Sequence, residues 1–185
     1  MDEQLSDARR WRIDPRRSRV RFAVKHLMVA TVWGELEDFE GTIETDGSGP
    51  TGATGSVAMA SLRTGDAKRD EVLLGPDFFD AGAHPRCTFA STRIEEAGGG
   101  ERELQIVGDL TIRGEPREVE LKAALGGDLA APEPPEEITL RVSGELSRRD
   151  FGVIGAGVLE AAGALVSDRV ELELELTARA EGARG

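Results

Sequence analysis

VELELELTA, residues 170 to 178, decides the fold class of this chain. Leucine and glutamate each favour helices, but here they follow a period of two: Val170, Leu172, Leu174 and Leu176 alternate with Glu171, Glu173 and Glu175. Helical winding at about 3.6 residues per turn would scatter the leucines around the cylinder, whereas a strand puts them on one face and the carboxylates on the other. The stretch predicts a strand that buries one face and wets the other.

The same alternation recurs upstream. Ile138, Leu140, Val142, Gly144 and Leu146 form one series, Val119, Leu121, Ala123 and Leu125 another, and Leu104, Ile106, Gly108, Leu110 and Ile112 a third. Val20, Phe22 and Val24 interleave with Arg19, Arg21, Ala23 and Lys25. Shorter strands are expected over 32–45, 55–62 and 86–94. The first should carry a bulge near Glu37-Asp38, because the apolar parity changes between Leu36 and Phe39. Turns fall where glycine and proline cluster: DGSGPTG from Asp46, EAGGGE from Glu96 and RGEP from Arg113. GGDLAAPEPPEE, 126–137, reads as a mobile acidic loop inside one domain, since the strands on its two sides share one amphipathic design.

Roughly eight such antiparallel strands with short connections favour a closed barrel, because closure removes sheet edges and leaves room for one small ligand. A sandwich would bury one face of each strand equally well, and periodicity leaves it open as the alternative. The fold class is therefore all-β, an antiparallel barrel with one short helical excursion. Residues 1–10 are expected to be a flexible leader, 11–180 the barrel and 181–185 a flexible tail.

Composition narrows the function. In 185 residues, 35 acids face 23 basic residues, a net charge of −12 that opposes phosphate backbones and anionic lipid surfaces, so nucleic-acid binding and membrane insertion are not expected. The single cysteine, Cys87, has no internal disulfide partner, which suits a reducing compartment. Met1 to Arg10 is polar and charged without the apolar centre of a secretory signal, and a cytoplasmic location is the expectation.

The helical excursion lies in RDEVLLGPDFFDAGAHPRCTFAST, residues 69–92. A short apolar run, Val72 to Leu74, ends at Gly75-Pro76, and Phe78 and Phe79 follow between Asp77 and Asp80 as a hydrophobic plug with an acidic rim. This block, with WRIDPRRSRVRFAVKHLMVATVWGELEDFEGTIE before it, then VGDLTIRGEPREVEL and SRRDFGV, resembles in order and spacing the pattern of the YceI-like family of lipocalin-like, polyisoprenoid-binding proteins. The resemblance covers most of the chain. It implies an extended antiparallel barrel with a long apolar cavity for an isoprenoid chain, and a homodimer. Two departures stand out: Arg17 occupies the place where the family commonly has histidine in a DPxHS motif, and the proline-rich acidic loop replaces a DPWG-like segment.

The cavity, on this reading, is lined by Phe22, Val24, His26, Val57, Met59, Phe78, Phe79, Phe89, Leu110, Ile112 and Phe151. Each phenylalanine taken singly reads equally as core. His26 continues the inward series of Val20, Phe22 and Val24, either as a buried imidazole satisfied by a neighbour or as a contact to a ligand head group. Arg148 extends the series of Val142, Gly144 and Leu146 if the strand runs that far, as a pyrophosphate contact or as the partner of Asp70 or Asp150. Arg69 belongs with Asp70 in the family pattern; it is a third head-group candidate, or half of a pair that locks the helix to the barrel end. His84 and Cys87 lack a second ligand pair at metal spacing, so neither a metal nor a cofactor is expected.

Catalytic signatures fail. GAG at 155–157 lacks the rest of a dinucleotide fingerprint and reads as a loop or lid, and DFG at 150–152 stands without the other kinase elements. The expected function is binding, storage or transport of a long apolar isoprenoid-type lipid, without catalysis. The alternatives are an enzyme acting on an isoprenoid or quinone lipid, and a solid-packed barrel serving as an interaction module.

Overall fold

Residues 8–26, 29–98, 102–155 and 166–182 are described by the computed structural model, and strands account for most of them. In chain order the elements are β1 (Arg9–Ile13), β2 (Arg19–His26), β3 (Ala30–Leu36), β4 (Phe39–Thr45), β5 (Pro50–Ala58), β6 (Leu62–Arg63), α1 (Ala67–Leu74), β7 (Arg86–Glu96), β8 (Glu103–Ile112), β9 (Glu115–Gly126), β10 (Glu137–Ser147) and β11 (Val166–Ala180).

β11, the strand of the VELELEL run, closes the sheet. One edge of it pairs with β10, Leu174 opposite Val142. The other pairs with β2, Leu172 opposite Phe22, and further along with β1, where Trp11 faces Ala180. All neighbours are antiparallel, and the circuit makes an eight-stranded barrel, not a sandwich. The eleven segments reduce to eight because three adjacent barrel strands are each broken once, at nearly one level. β1 and β2 are halves of one strand interrupted by a 3-10 turn at Pro15–Arg17; β3 and β4 are split at Glu37-Asp38; β5 and β6 are split by a 3-10 turn at Met59–Ser61. Side chains and neighbouring loops replace the lost ladder: Ser18 Oγ accepts from Thr177 N at 2.9 Å, and Ala58 N donates to Asp38 O at 2.8 Å.

Several sequence expectations change here. The bulge near Glu37-Asp38 is a full break between strands with different partners, β3 on β2 and β4 on β1 and β5. The strand placed over 55–62 begins at Pro50 and ends at Ala58. β1 was hidden by its charge, since RRWRI buries only Trp11, and it starts ahead of residue 11. The acidic loop is tied down by Leu129, which is buried in the core. Residues 1–7, 99–101, 156–165 and 183–185, which include parts of the expected leader, turn, lid and tail, lie outside the described residues.

The barrel has a packed lower end and a plugged upper end. Below, Trp11, Ile43, Leu125, Leu129, Ile138 and Ala178 form a tight cluster, with Trp11 and Ala178 fully buried. Above sit α1, the Phe78-Phe79 loop and a 3-10 turn at Arg148–Phe151. α1 opens at Asp66, whose carboxylate accepts from the N–H groups of Lys68 and Arg69, and closes at Gly75 in extended backbone. The β8–β9 hairpin turns on Arg113 and Gly114, φ 53° and 72°, the pairing of left-handed residues that a two-residue hairpin of this twist requires. Arg113 Nη1 then donates to the carbonyls of Phe78 and Gly152, tying the phenylalanine loop to the 3-10 turn.

Candidate ligand cavity

Between these ends the inward-facing residues enclose a cavity of about 680 Å³, within the range of roughly 300–1,000 Å³ typical of small-molecule sites. The interior is therefore not packed solid. Its wall follows from strand parity: Phe22 and Val24 project from β2, Val57 from β5, Cys87 and Phe89 from β7, Leu110 and Ile112 from β8, and Leu172, Leu174 and Leu176 from β11. Phe78, Phe79 and Phe151 reach it from the upper end and Met59 from the break between β5 and β6; Phe79 meets Phe22 edge to face at 6.4 Å. Every residue named from the sequence as a lining residue borders the cavity, as do His26, Arg69 and Arg148.

The charged residues are placed differently from the expectation. β10 ends at Ser147, so Arg148 stands in the 3-10 turn and not on a continued strand. Neither Asp70 nor Asp150 pairs with it. Its guanidinium donates to four backbone carbonyls, those of Ser167 (3.1 Å), Val153 (2.9 Å), Ile154 (3.4 Å) and Val166 (3.3 Å), and burial lowers its pKa. Arg148 thus staples the chain after the 3-10 turn to the start of β11. Arg69 and Asp70 grip Thr64 from two sides: Arg69 Nε donates to Thr64 Oγ1 (2.9 Å) and Nη2 to Thr64 O (2.7 Å), while Asp70 Oδ1 accepts from Thr64 N and Oγ1. Both side chains are thus bonded to the scaffold, Arg69 through two of its five N–H groups and Asp70 through one carboxylate oxygen. His26 remains half-buried at the upper end of β2, with no side-chain hydrogen bond among the described residues.

Asp168 supports the same corner, accepting from Ser147 Oγ (2.5 Å) and Arg149 N (3.1 Å). Burial works against its charge, but these bonds and the nearby Arg149 and Arg148 outweigh burial and hold the carboxyl below its usual range. Its contribution is present above the unfolded value of about 3.9 and is lost only as pH falls through the lower folded value. Replacing Arg148 with Met should lower stability by about 1.5–2 kcal/mol at pH 7, the lower range for bonds to a charged donor because the site is partly exposed. Urea denaturation measures it, and an unchanged midpoint would remove the staple.

Sequence reasoning missed Lys68 and Val72, which border the cavity from α1, and Gly55. Lys68 is exposed and carries no strand pattern; Gly55 has no side chain to pattern. His84 packs against the β8–β9 hairpin, close enough that a Cβ on Gly114 would lie 2.9 Å from its ring.

Cys87 faces the cavity wall, and burial pushes its thiol up to about 12. An ordinary free cysteine near 8.5 is substantially ionised at pH 8, so Cys87 should react with a thiol reagent roughly a thousandfold more slowly in the native protein than after unfolding. Rapid stoichiometric labelling of the native protein would contradict this burial.

A YceI-like domain model matches residues 11–178, from Trp11 at the packed end to Ala178 beside it. The chain belongs to the YceI-like family. Protein YceI of Escherichia coli O157:H7 is 32% identical over 136 residues, 72% of this chain and 70% of that protein. Among solved structures Burkholderia cenocepacia BcnA superposes with a TM-score of 0.77 at 25% identity, covering 89% of this chain and 98% of BcnA. A polyisoprenoid-binding domain from Saccharophagus degradans superposes at 0.72 with 15% identity, covering 92% and 98%; at that identity the likeness is one of fold.

Proposed function

We propose that this YceI-like chain binds a long apolar isoprenoid-type lipid inside its barrel and stores or carries it without chemical change. The observation that carries the reading is the cavity: a predominantly aliphatic and aromatic wall running down from an upper end where charged and ionisable groups gather, His26, Asp66, Lys68, Arg69 and Arg148. An apolar tail gains roughly 0.8 kcal/mol for each methylene moved from water into such a wall. The name of the Saccharophagus degradans neighbour, a polyisoprenoid-binding domain, supports the ligand class. Enzymatic turnover has less support, because the polar groups bordering the cavity include two arginines bonded to backbone and hydroxyl groups of the scaffold.

Native mass spectrometry of the folded protein incubated with a polyprenol such as solanesol tests this. One lipid of unaltered mass per chain is the expected result. No complex would overturn the binding reading, and a lipid of altered mass would replace the carrier with an enzyme.

A further inference from the structure

The inward strand positions contain several glycines, and all but one are already occupied by a neighbour. A Cβ at Gly34 would lie 2.4 Å from the Phe22 ring, one at Gly108 2.5 Å from the Phe89 ring, one at Gly144 2.4 Å from Leu121 Cδ2, and one at Gly41 2.7 Å from Ile13 Cδ1. In each case a large side chain lies across the space that glycine leaves. Gly55 differs. It borders the cavity, and a Cβ there would meet nothing closer than the Glu40 carbonyl oxygen at 3.7 Å, ordinary contact. Its cross-strand partners do not cover it: Gly41 has no side chain, and the ring of Phe89 lies over Gly108 instead.

Register fixes the depth of this bare patch. Going down the β4–β5 ladder, Phe39 pairs with Val57, Gly41 with Gly55 and Ile43 with Ala53, and Ile43 packs in the same lower cluster as Trp11. Gly55 is therefore one inward step above Ile43 and Ala53, which form the cavity floor on the packed end, while His26, Lys68 and Arg69 lie at the other end. A tail anchored at the upper end reaches Gly55 with its last carbons.

We infer that Gly55 sets the length of prenyl tail that the cavity accepts, the absent side chain being the space for the tail's terminus. The inference rests on the proposed lipid binding and names the determinant of chain length within it. Its consequence is selective: filling the space at Gly55 must penalise long tails and leave short ones, which end above it, untouched.

The test compares wild type, Gly55→Ala and Gly55→Leu for binding of farnesol, geranylgeraniol and solanesol, with folding checked by circular dichroism. Wild type should bind solanesol most tightly. Gly55→Leu displaces about four tail carbons at about fourfold in affinity each, so its solanesol affinity should fall roughly two-hundredfold while farnesol affinity is unchanged. Gly55→Ala should lose about fourfold on solanesol alone, and it decides the matter if the leucine variant fails to fold. Equal losses across the three alcohols, or no loss on solanesol, would overturn the role of Gly55 while leaving lipid binding intact. Failure of wild type to bind any of them would instead remove the lipid reading beneath it.

Discussion

Trp11→Ala should destabilise the protein by about 3–5 kcal/mol, the range for deleting a large buried aromatic. Trp11 is fully buried in β1 between β4 and β11, where it closes the lower end of the barrel with Ile43, Ile138 and Ala178. Two losses combine. The indole ring leaves a void among side chains held by ladders on both edges, which limits collapse. Its Nε1 also donates to Thr45 Oγ1 at 2.9 Å, and Thr45, itself buried, would lose that partner. For a domain of this size the melting temperature should drop by roughly 6–20 °C. Trp11→Phe, which keeps much of the volume and loses the hydrogen bond, should fall well short of that. A loss below about 1 kcal/mol for the alanine variant would mean that the lower end is not the packed anchor described.

A long isoprenoid should raise the melting temperature of delipidated protein by roughly 5–10 °C. A ligand that binds only the native state at about a hundred times its dissociation constant adds roughly 2.7 kcal/mol, and each kcal/mol moves the midpoint of a domain this large by roughly 2–4 °C. Chain length separates tail burial from head-group capture. If the wall of Leu110, Leu172 and Leu174 supplies the affinity, a short analogue with the same head group shifts the midpoint less; equal shifts would place recognition at the upper end alone.

The strands were legible because their signal is local. Alternation in VELELEL or in Leu104 to Ile112 needs no knowledge of neighbours, and it names the inward strand residues directly, so Phe22, Val24, Phe89, Leu110 and Ile112 border the cavity from their strands, whereas Met59, Phe78, Phe79 and Phe151 reach it from turns and loops that no alternation marks. What failed depended on neighbours. Parity between Leu36 and Phe39 does change, but whether a parity change is a bulge or a break is settled by which strands pair on either side. Parity also extended Arg148 inward along β10; the strand stops at Ser147 because Asp168, about twenty residues on, captures Ser147 Oγ and Arg149 N and turns the backbone. The family pattern groups Arg69 and Asp70, but the group that both of them bond, Thr64 between β6 and α1, is set by the tertiary fold and carries no local signal. Gly55 lay beyond reach of any pattern, since what distinguishes it from Gly34 or Gly108 is a neighbour's ring that leans elsewhere.

The most direct measurement is of intermolecular nuclear Overhauser effects between an isoprenoid and methyl-labelled protein in solution. Contacts from the prenyl methyls to the methyls of Val57, Leu110, Leu172 and Leu174 are expected, because these side chains share the cavity wall from different strands. Contacts confined to exposed apolar residues such as Val29 and Ile154, with the interior methyls silent, would contradict binding inside the barrel.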